Sequence, residues 1–144
     1  MSAAWKARVV LNPSVAEAIR AHAAAAYPHE CCGALIADAT AIVEAFALPN
    51  TTADGARRRF LVGPSDYRAS EAHAREQCGE LAGFYHSHPD HPARPSRHDL
   101  DHAWPNLTYI IVSVVAGTAA ELTAWHLRDD RTAFTEGEIA CPGS

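Results

Sequence analysis

The sequence predicts a mixed α/β domain, a curved β-sheet with flanking helices. Three observations carry that expectation. Short apolar runs rich in β-branched residues, "LTYIIVSVV" (107–115) above all, read as strands. Two longer stretches, each opened by Pro-Ser, read as helices. The two kinds of segment are interleaved without strict βαβ alternation.

Each element has its own justification. "KARVVLN" (6–12) reads as an opening strand. Pro13 and Ser14 then start a helix in which Val15, Ala18, Ile19, His22, Ala23 and Ala26 form one apolar stripe at helical period. His22 on that stripe is read as a satisfied, half-buried histidine rather than a ligand. Pro28 marks the end of the helix. "CCGALIAD" (31–38), "AIVEAFALPN" (41–50) and "RRFLVG" (58–63) read as three strands. Pro64 and Ser65 begin a second helix reaching about Gly79. "LAGFYHSH" (81–88) is a strand stopped by Pro89, and Ser96 begins a short helix that ends before Pro105. "LTYIIVSVV" is a strand covered on both faces. "AELTAWHLRDD" (120–130) and "TAFTEGEIA" (132–140) close the chain as edge-type strands.

With 144 residues, 48% of them apolar and 20% charged, the chain has the size and balance of one domain spanning 1–144. Its net charge of -5 argues against a nucleic-acid partner, which needs a basic face. The one basic run, Arg57, Arg58 and Arg59, reads as a solvated loop edge. No apolar stretch is long enough to cross a bilayer, and the N-terminus lacks the pattern of a signal peptide. The expectation is a cytoplasmic protein with reduced thiols and no membrane partner. Cys31, Cys32, Cys78 and Cys141 show no C-x-x-C spacing. Adjacent Cys31 and Cys32 would point to opposite faces of a strand as buried small hydrophobes.

Chemistry concentrates in "GFYHSHPDHPARPSRHDLDHAW" (83–104), which holds five of the nine histidines. In a strand His86 and His88 project to one face, about 7 Å apart along the chain. The loop that follows is stiffened by prolines, and Asp99 falls in the first turn of the next helix, placed to return a carboxylate to the pair. Two imidazoles and a carboxylate suit a divalent ion such as zinc and leave one coordination position open. A water in that position becomes a usable nucleophile near neutral pH. It needs a base. Glu30 is the candidate if the "CCGALIAD" strand lies beside "GFYHSH". Ser96 reads as a helix N-cap with Asp99 at N3. His98 and His102, spaced i, i+4, could clamp a metal of their own, but His98 lies about 100° around the helix from Asp99. They are read as exposed bystanders, as is His91 in the loop. His29 reads as a neighbouring or surface group, and Asp90 and Asp101 as solvated. Tyr85 and Ser87 point away from the His86–His88 face.

The pattern H-S-H-x7-S-x2-D over His86, His88, Ser96 and Asp99, with the upstream "HECCGAL" carrying Glu30, resembles the JAMM (MPN+, Mov34/PAD-1) metalloprotease family over almost the whole chain. The resemblance implies a cytidine-deaminase-like JAMM/MPN fold and one catalytic Zn2+ held by His86, His88 and Asp99. It makes Glu30 the general acid/base and gives Ser96 a part in stabilising the oxyanion. It implies hydrolysis of peptide or isopeptide bonds at the C-terminal Gly-Gly of ubiquitin or ubiquitin-like proteins. The compact length resembles the stand-alone prokaryotic members, some of which act on ubiquitin-like sulfur carriers of the ThiS/MoaD/CysO type. Two other functions stay open at this stage: a non-catalytic module that captures a ubiquitin-like protein, and a zinc amidohydrolase acting on a small-molecule conjugate. Edge strands leave a symmetric homodimer open as well.

Overall fold

The computed structural model describes residues 8–49 and 62–142. Among these, six strands form one mixed sheet in the order β3-β2-β4-β5-β6-β7. They are β2 (Cys32–Ala37), β3 (Ile42–Leu48), β4 (Glu80–Pro89), β5 (Thr108–Val115), β6 (Thr118–Leu127) and β7 (Phe134–Gly137). Neighbours run antiparallel except β4 and β5, which are parallel. Antiparallel strands can be joined by a tight turn, but a parallel pair needs a crossover of a dozen or more residues. That crossover, between Pro89 and Thr108, is the histidine-rich segment, and it carries the short helix α3 (Arg97–Asp101).

The remaining helices cover opposite faces. Helix α1 (Pro13–Ala26) turns Val15, Ile19 and Ala23 onto one face, against Leu35, Tyr85, Ile110 and Val112. Helix α2 (Pro64–Glu76) places Ala74 with Cys32, Phe84 and Ile111 on the other. Strand β5 is buried along seven of its eight residues, as a strand covered on both faces should be. Cys31 and Cys32 fall into the two different clusters, and burial pushes the Cys31 thiol up to about 11.

A bulge sets which face the histidines occupy. The β2–β4 register shifts between Leu35 and Ile36, so that Gly83 and Leu81 are paired and Ala82 is passed over. Ala82 and Tyr85 therefore share the α1 face, while Phe84 lies in the opposite cluster, with His86 and His88 following it at period two. Gly83 stands at this point because a Cβ there would collide with the Thr108 carbonyl of β5. Gly33 has a similar reason, since a Cβ would occupy the space of the Tyr85 ring. The Tyr85 hydroxyl in turn meets His22 Nδ1 at 2.7 Å, so His22 is the satisfied, half-buried histidine expected, its affinity for a proton lowered by burial.

Four expectations need correction. "AELTAWHLRDD" is not an edge strand, because β6 pairs with β5 on one side and β7 on the other. "TAFTEGEIA" is not one strand. It divides into β7, paired with β6, and β8 (Ile139–Ala140), which pairs in parallel with β1 (Val9–Val10) as a separate two-stranded sheet. The opening strand is correspondingly only two residues long. Helix α2 stops at Glu76 rather than near Gly79, because Cys78 adopts positive φ and the Gly79 N–H returns to the Ala74 carbonyl. The strand expected over "RRFLVG" and the run Arg57–Arg59 fall outside the described residues, save Val62 and Gly63, which belong to no strand.

Candidate functional site

His86 and His88 end β4 on the face opposite α1, and α3 brings Asp99 over them. His86 Nε2 and His88 Nε2 approach to 3.1 Å. Asp99 Oδ1 lies 3.1 Å from His86 Nε2, and Asp99 Oδ2 lies 3.2 Å from His88 Nε2. One ligand atom from each residue lies within 4.8 Å of the others. All three side chains are nearly buried.

The return of Asp99 has a local cause. Ser96 is the N-cap of α3: its Oγ accepts from the Asp99 N–H at 3.1 Å, and the Ser96 N–H donates to Asp99 Oδ2 at 2.8 Å. This reciprocal box fixes both where the helix starts and where the carboxylate points.

The donor set fits a cation. His88 Nδ1 lies 2.8 Å from the Pro92 carbonyl, which can only accept, so Nδ1 carries the proton. In neutral His88 that leaves Nε2 with a lone pair, directed at another imidazole nitrogen and a carboxylate. Such a convergence of acceptors is stable only around a positive charge, a proton or a metal ion. The proton affinities of the ion-free cluster agree. Burial pushes the Asp99 carboxyl up, but the charge of His86 and hydrogen bonds from His86, His88 and the Ser96 N–H outweigh it and hold it well below the usual carboxylate range. Burial pushes His88 down, but hydrogen bonds to Asp99 and Pro92 and the charges of Asp99 and Glu30 leave it above the ordinary histidine value.

Glu30 enters from the neighbouring strand. Cys32 pairs with His86 across β2 and β4, the Ser87 N–H donates to the Cys31 carbonyl at 3.1 Å, and the Cys31 N–H donates to Ser87 Oγ at 2.8 Å. The pairing on which Glu30 depended is thus present, and Ser87 faces away from the cluster as a structural residue. Glu30 is buried and borders a cleft of about 660 Å³ shared with His88, Ser96, Arg94 and Arg97.

The other titratable residues divide. His29, His91 and His102 are exposed. His98 is not the exposed bystander expected: it is half-buried, borders the cleft, and packs against His102 with ring centroids 4.3 Å apart and the rings tilted by 38°. Asp101 pairs with Arg97 on the surface. Asp90 is exposed but tied, against the expectation of a merely solvated group. It accepts from the Tyr27 hydroxyl at 2.6 Å and from the Ala116 N–H at 2.9 Å. Its φ is positive, a conformation that Asp tolerates better than most residues, and the chain turns there. Thr123 is a residue the sequence did not single out: its hydroxyl donates to the Ala93 carbonyl at 2.7 Å.

A sequence profile for prokaryotic homologs of the JAB domain matches residues 12–128. The chain belongs to the prokaryotic JAB-domain family. Two relatives and one structure illustrate its range. The chain is 36% identical over 104 residues to a desampylase of Haloferax volcanii, covering 69% of this chain and 73% of that protein. It is 34% identical over 123 residues to the tail tip assembly protein K of Escherichia phage N15, covering 85% of this chain but only 44% of the phage protein. The chain thus spans less than half the length of that phage relative. The crystal structure of a JAB1/MPN domain protein from Archaeoglobus fulgidus superimposes with a TM-score of 0.61 at 19% identity, over 92% of this chain and 98% of that one. At that identity the likeness shows a JAB1/MPN fold. Among the described residues, no helix is long and apolar enough to cross a membrane.

Proposed function

We propose that this JAB-domain protein is a zinc-dependent peptidase or isopeptidase that hydrolyses the bond after the C-terminal Gly-Gly of a ubiquitin-like protein of the sulfur-carrier type. The single observation that carries the reading is the convergence of ligand atoms from His86, His88 and Asp99, with His88 on the cleft that Glu30 borders. The Haloferax relative, named a desampylase, supports a ubiquitin-like partner.

His86, His88 and Asp99 would hold the ion, three protein ligands of the kind that leave a catalytic position open. A divalent ion there supplies Lewis acidity, polarising the scissile carbonyl and acidifying water. The rest falls to this chain's own groups. Glu30 accepts the proton of the attacking water at its carboxylate and delivers it to the departing amine. Ser96 Oγ accepts the Asp99 N–H and keeps its own hydrogen, which it donates to the oxygen that gains negative charge. His88 is held in one tautomer by the Pro92 carbonyl. A Gly-Gly tail suits the approach because it has no side chains to exclude.

The test is incubation of the zinc-loaded protein with a ubiquitin-like carrier extended beyond its Gly-Gly, followed by intact-mass analysis. Release at the second glycine, abolished by chelation and restored by zinc, is the expected result. An intact carrier would support the alternative of a non-catalytic binding module. An intact carrier with turnover of small amides would support an amidohydrolase.

A further inference from the structure

We propose that His98 and His102 form a second divalent-cation site, weaker than the His86–His88–Asp99 cluster and filled when the cation is in excess. The ions it would take are those that favour imidazole nitrogen, Zn2+, Ni2+ and Cu2+, rather than Mg2+ or Ca2+. The site itself does not depend on the hydrolase reading above. Its effect on turnover rests on that reading.

The two histidines form a pair across one turn of the crossover helix. Residues spaced i, i+4 lie side by side on a helix surface. His98 belongs to α3, and His102 is its C-cap. Their ring centroids are 4.3 Å apart and the planes are tilted by 38°. His102 Nδ1 lies 2.9 Å from the His98 carbonyl. A carbonyl only accepts, so Nδ1 carries the proton, and neutral His102 keeps the lone pair of Nε2. The Pro92 carbonyl does the same for His88 in the first cluster. Such a bond to the far ring nitrogen fixes the tautomer and orientation of a ligating histidine and raises its basicity.

The neighbouring carboxylates set the strength. Asp99 turns its two oxygens to His86 and His88, and Asp101 holds Arg97 Nε at 3.0 Å. The pair therefore offers two imidazoles, with water to complete the coordination. The first cluster offers two imidazoles and a carboxylate, and an ion held there repels a second one nearby. Both effects put the affinity of the pair below that of the cluster.

The location gives the pair a consequence. Both histidines line a cavity of about 40 Å³ together with His86 and Asp99. His102 is exposed and His98 half-buried, so an ion reaches them from the surface. His98 also borders the larger cleft shared by His88 and Glu30, and among the described residues it alone lines both spaces. An ion on the pair stands where the two spaces meet. It would hinder a substrate chain passing from one to the other across the first ion, so cation in excess should inhibit.

The test is calorimetric titration of the metal-free, untagged protein with Zn2+. Wild type should bind two ions in two steps, the second weaker by about tenfold or more. His102→Gln changes an exposed position and should keep the first step while losing the second. His98→Gln should lose the second step too, and His88→Ala should instead weaken the first. Ring 15N spectra give an independent reading: the second equivalent of zinc should shift His98 and His102 and leave His86 and His88 where the first equivalent put them. A single step in wild type, or a second step that survives in both His98→Gln and His102→Gln, would overturn the site. If a Gly-Gly-extended carrier is cleaved, zinc beyond one equivalent should suppress most of the turnover, and His102→Gln should relieve that suppression. Equal suppression in wild type and His102→Gln would overturn the inhibitory effect. If no carrier is cleaved, the hydrolase reading fails separately, and the two binding steps and ring shifts still decide the site.

Discussion

Thr123 on β6 and Ala93 in the β4–β5 crossover, thirty residues apart, are joined by a 2.7 Å hydrogen bond from a buried hydroxyl to a backbone carbonyl. Trp125 Nε1 donates to the same hydroxyl at 2.8 Å. The crossover is therefore pinned to the sheet midway between His88 and Asp99. Thr123→Val keeps the shape and removes both bonds, leaving a buried carbonyl and an indole N–H unsatisfied. The expected loss of stability is about 1–3 kcal/mol by urea denaturation. Metal affinity, read by competition with a chromophoric chelator, should fall with it. Unchanged stability would mean that the crossover does not depend on this bond.

The second pin is exposed and should behave differently. Tyr27→Phe removes the donor to Asp90 Oδ2 but leaves the Ala116 N–H on Oδ1. An exposed hydrogen bond contributes about 1 kcal/mol or less. Denaturation should change little, while amide exchange at residues 90–94 should accelerate. Exchange rates equal to wild type would show that Tyr27 does not restrain the loop.

Removing a ligand should separate from removing the base. Asp99→Ala deletes a donor to the ion and also the N3 half of the α3 capping box, so zinc occupancy measured by elemental analysis should fall markedly. His88→Ala should also lower occupancy, while leaving the capping box in place. Full occupancy in both variants would remove the cluster from consideration.

The ion-free protein should show a pH window. Asp99 has its proton affinity depressed by folding, so its stabilisation is present above the ordinary carboxylate value of 3.8 and is lost as pH falls below it. His88 is raised, so its contribution is complete below 6.5 and fades as pH rises through its higher folded value. Urea denaturation of chelated protein should therefore show the cluster contributing most between about pH 4 and 6.5. Asp99→Asn should flatten that profile. In the presence of zinc the trend above pH 6 should reverse, because the ion replaces the proton that His88 gives up. A chelated Asp99→Asn profile identical to wild type would contradict the assignment.

How much of this was legible in the sequence differs residue by residue. The period-two spacing of His86 and His88 and the Ser96–Asp99 box are local, and local geometry fixed them before any tertiary contact was known. Glu30 needed one non-local fact, the β2–β4 pairing, which the sequence could only pose as a condition. Asp90 was read as solvated and Thr123 was not singled out, because their partners lie 63 and 30 residues away and no periodicity encodes them. The division of "TAFTEGEIA" was equally hidden, since two-residue strands such as β8 exist only through their pairing with β1. His98 was misjudged because exposure on a five-residue helix depends on what the crossover folds against.

The central claim is that Glu30 moves protons and does not hold the ion. The most direct measurement is Glu30→Gln compared with wild type for zinc content and for cleavage of a Gly-Gly-extended carrier in the same preparation. Zinc content should be equal in both, with turnover reduced by a factor of about 10² to 10⁴ in the variant. Full activity in Glu30→Gln would show that Glu30 is not the proton carrier, and loss of zinc from it would show that Glu30 holds the ion.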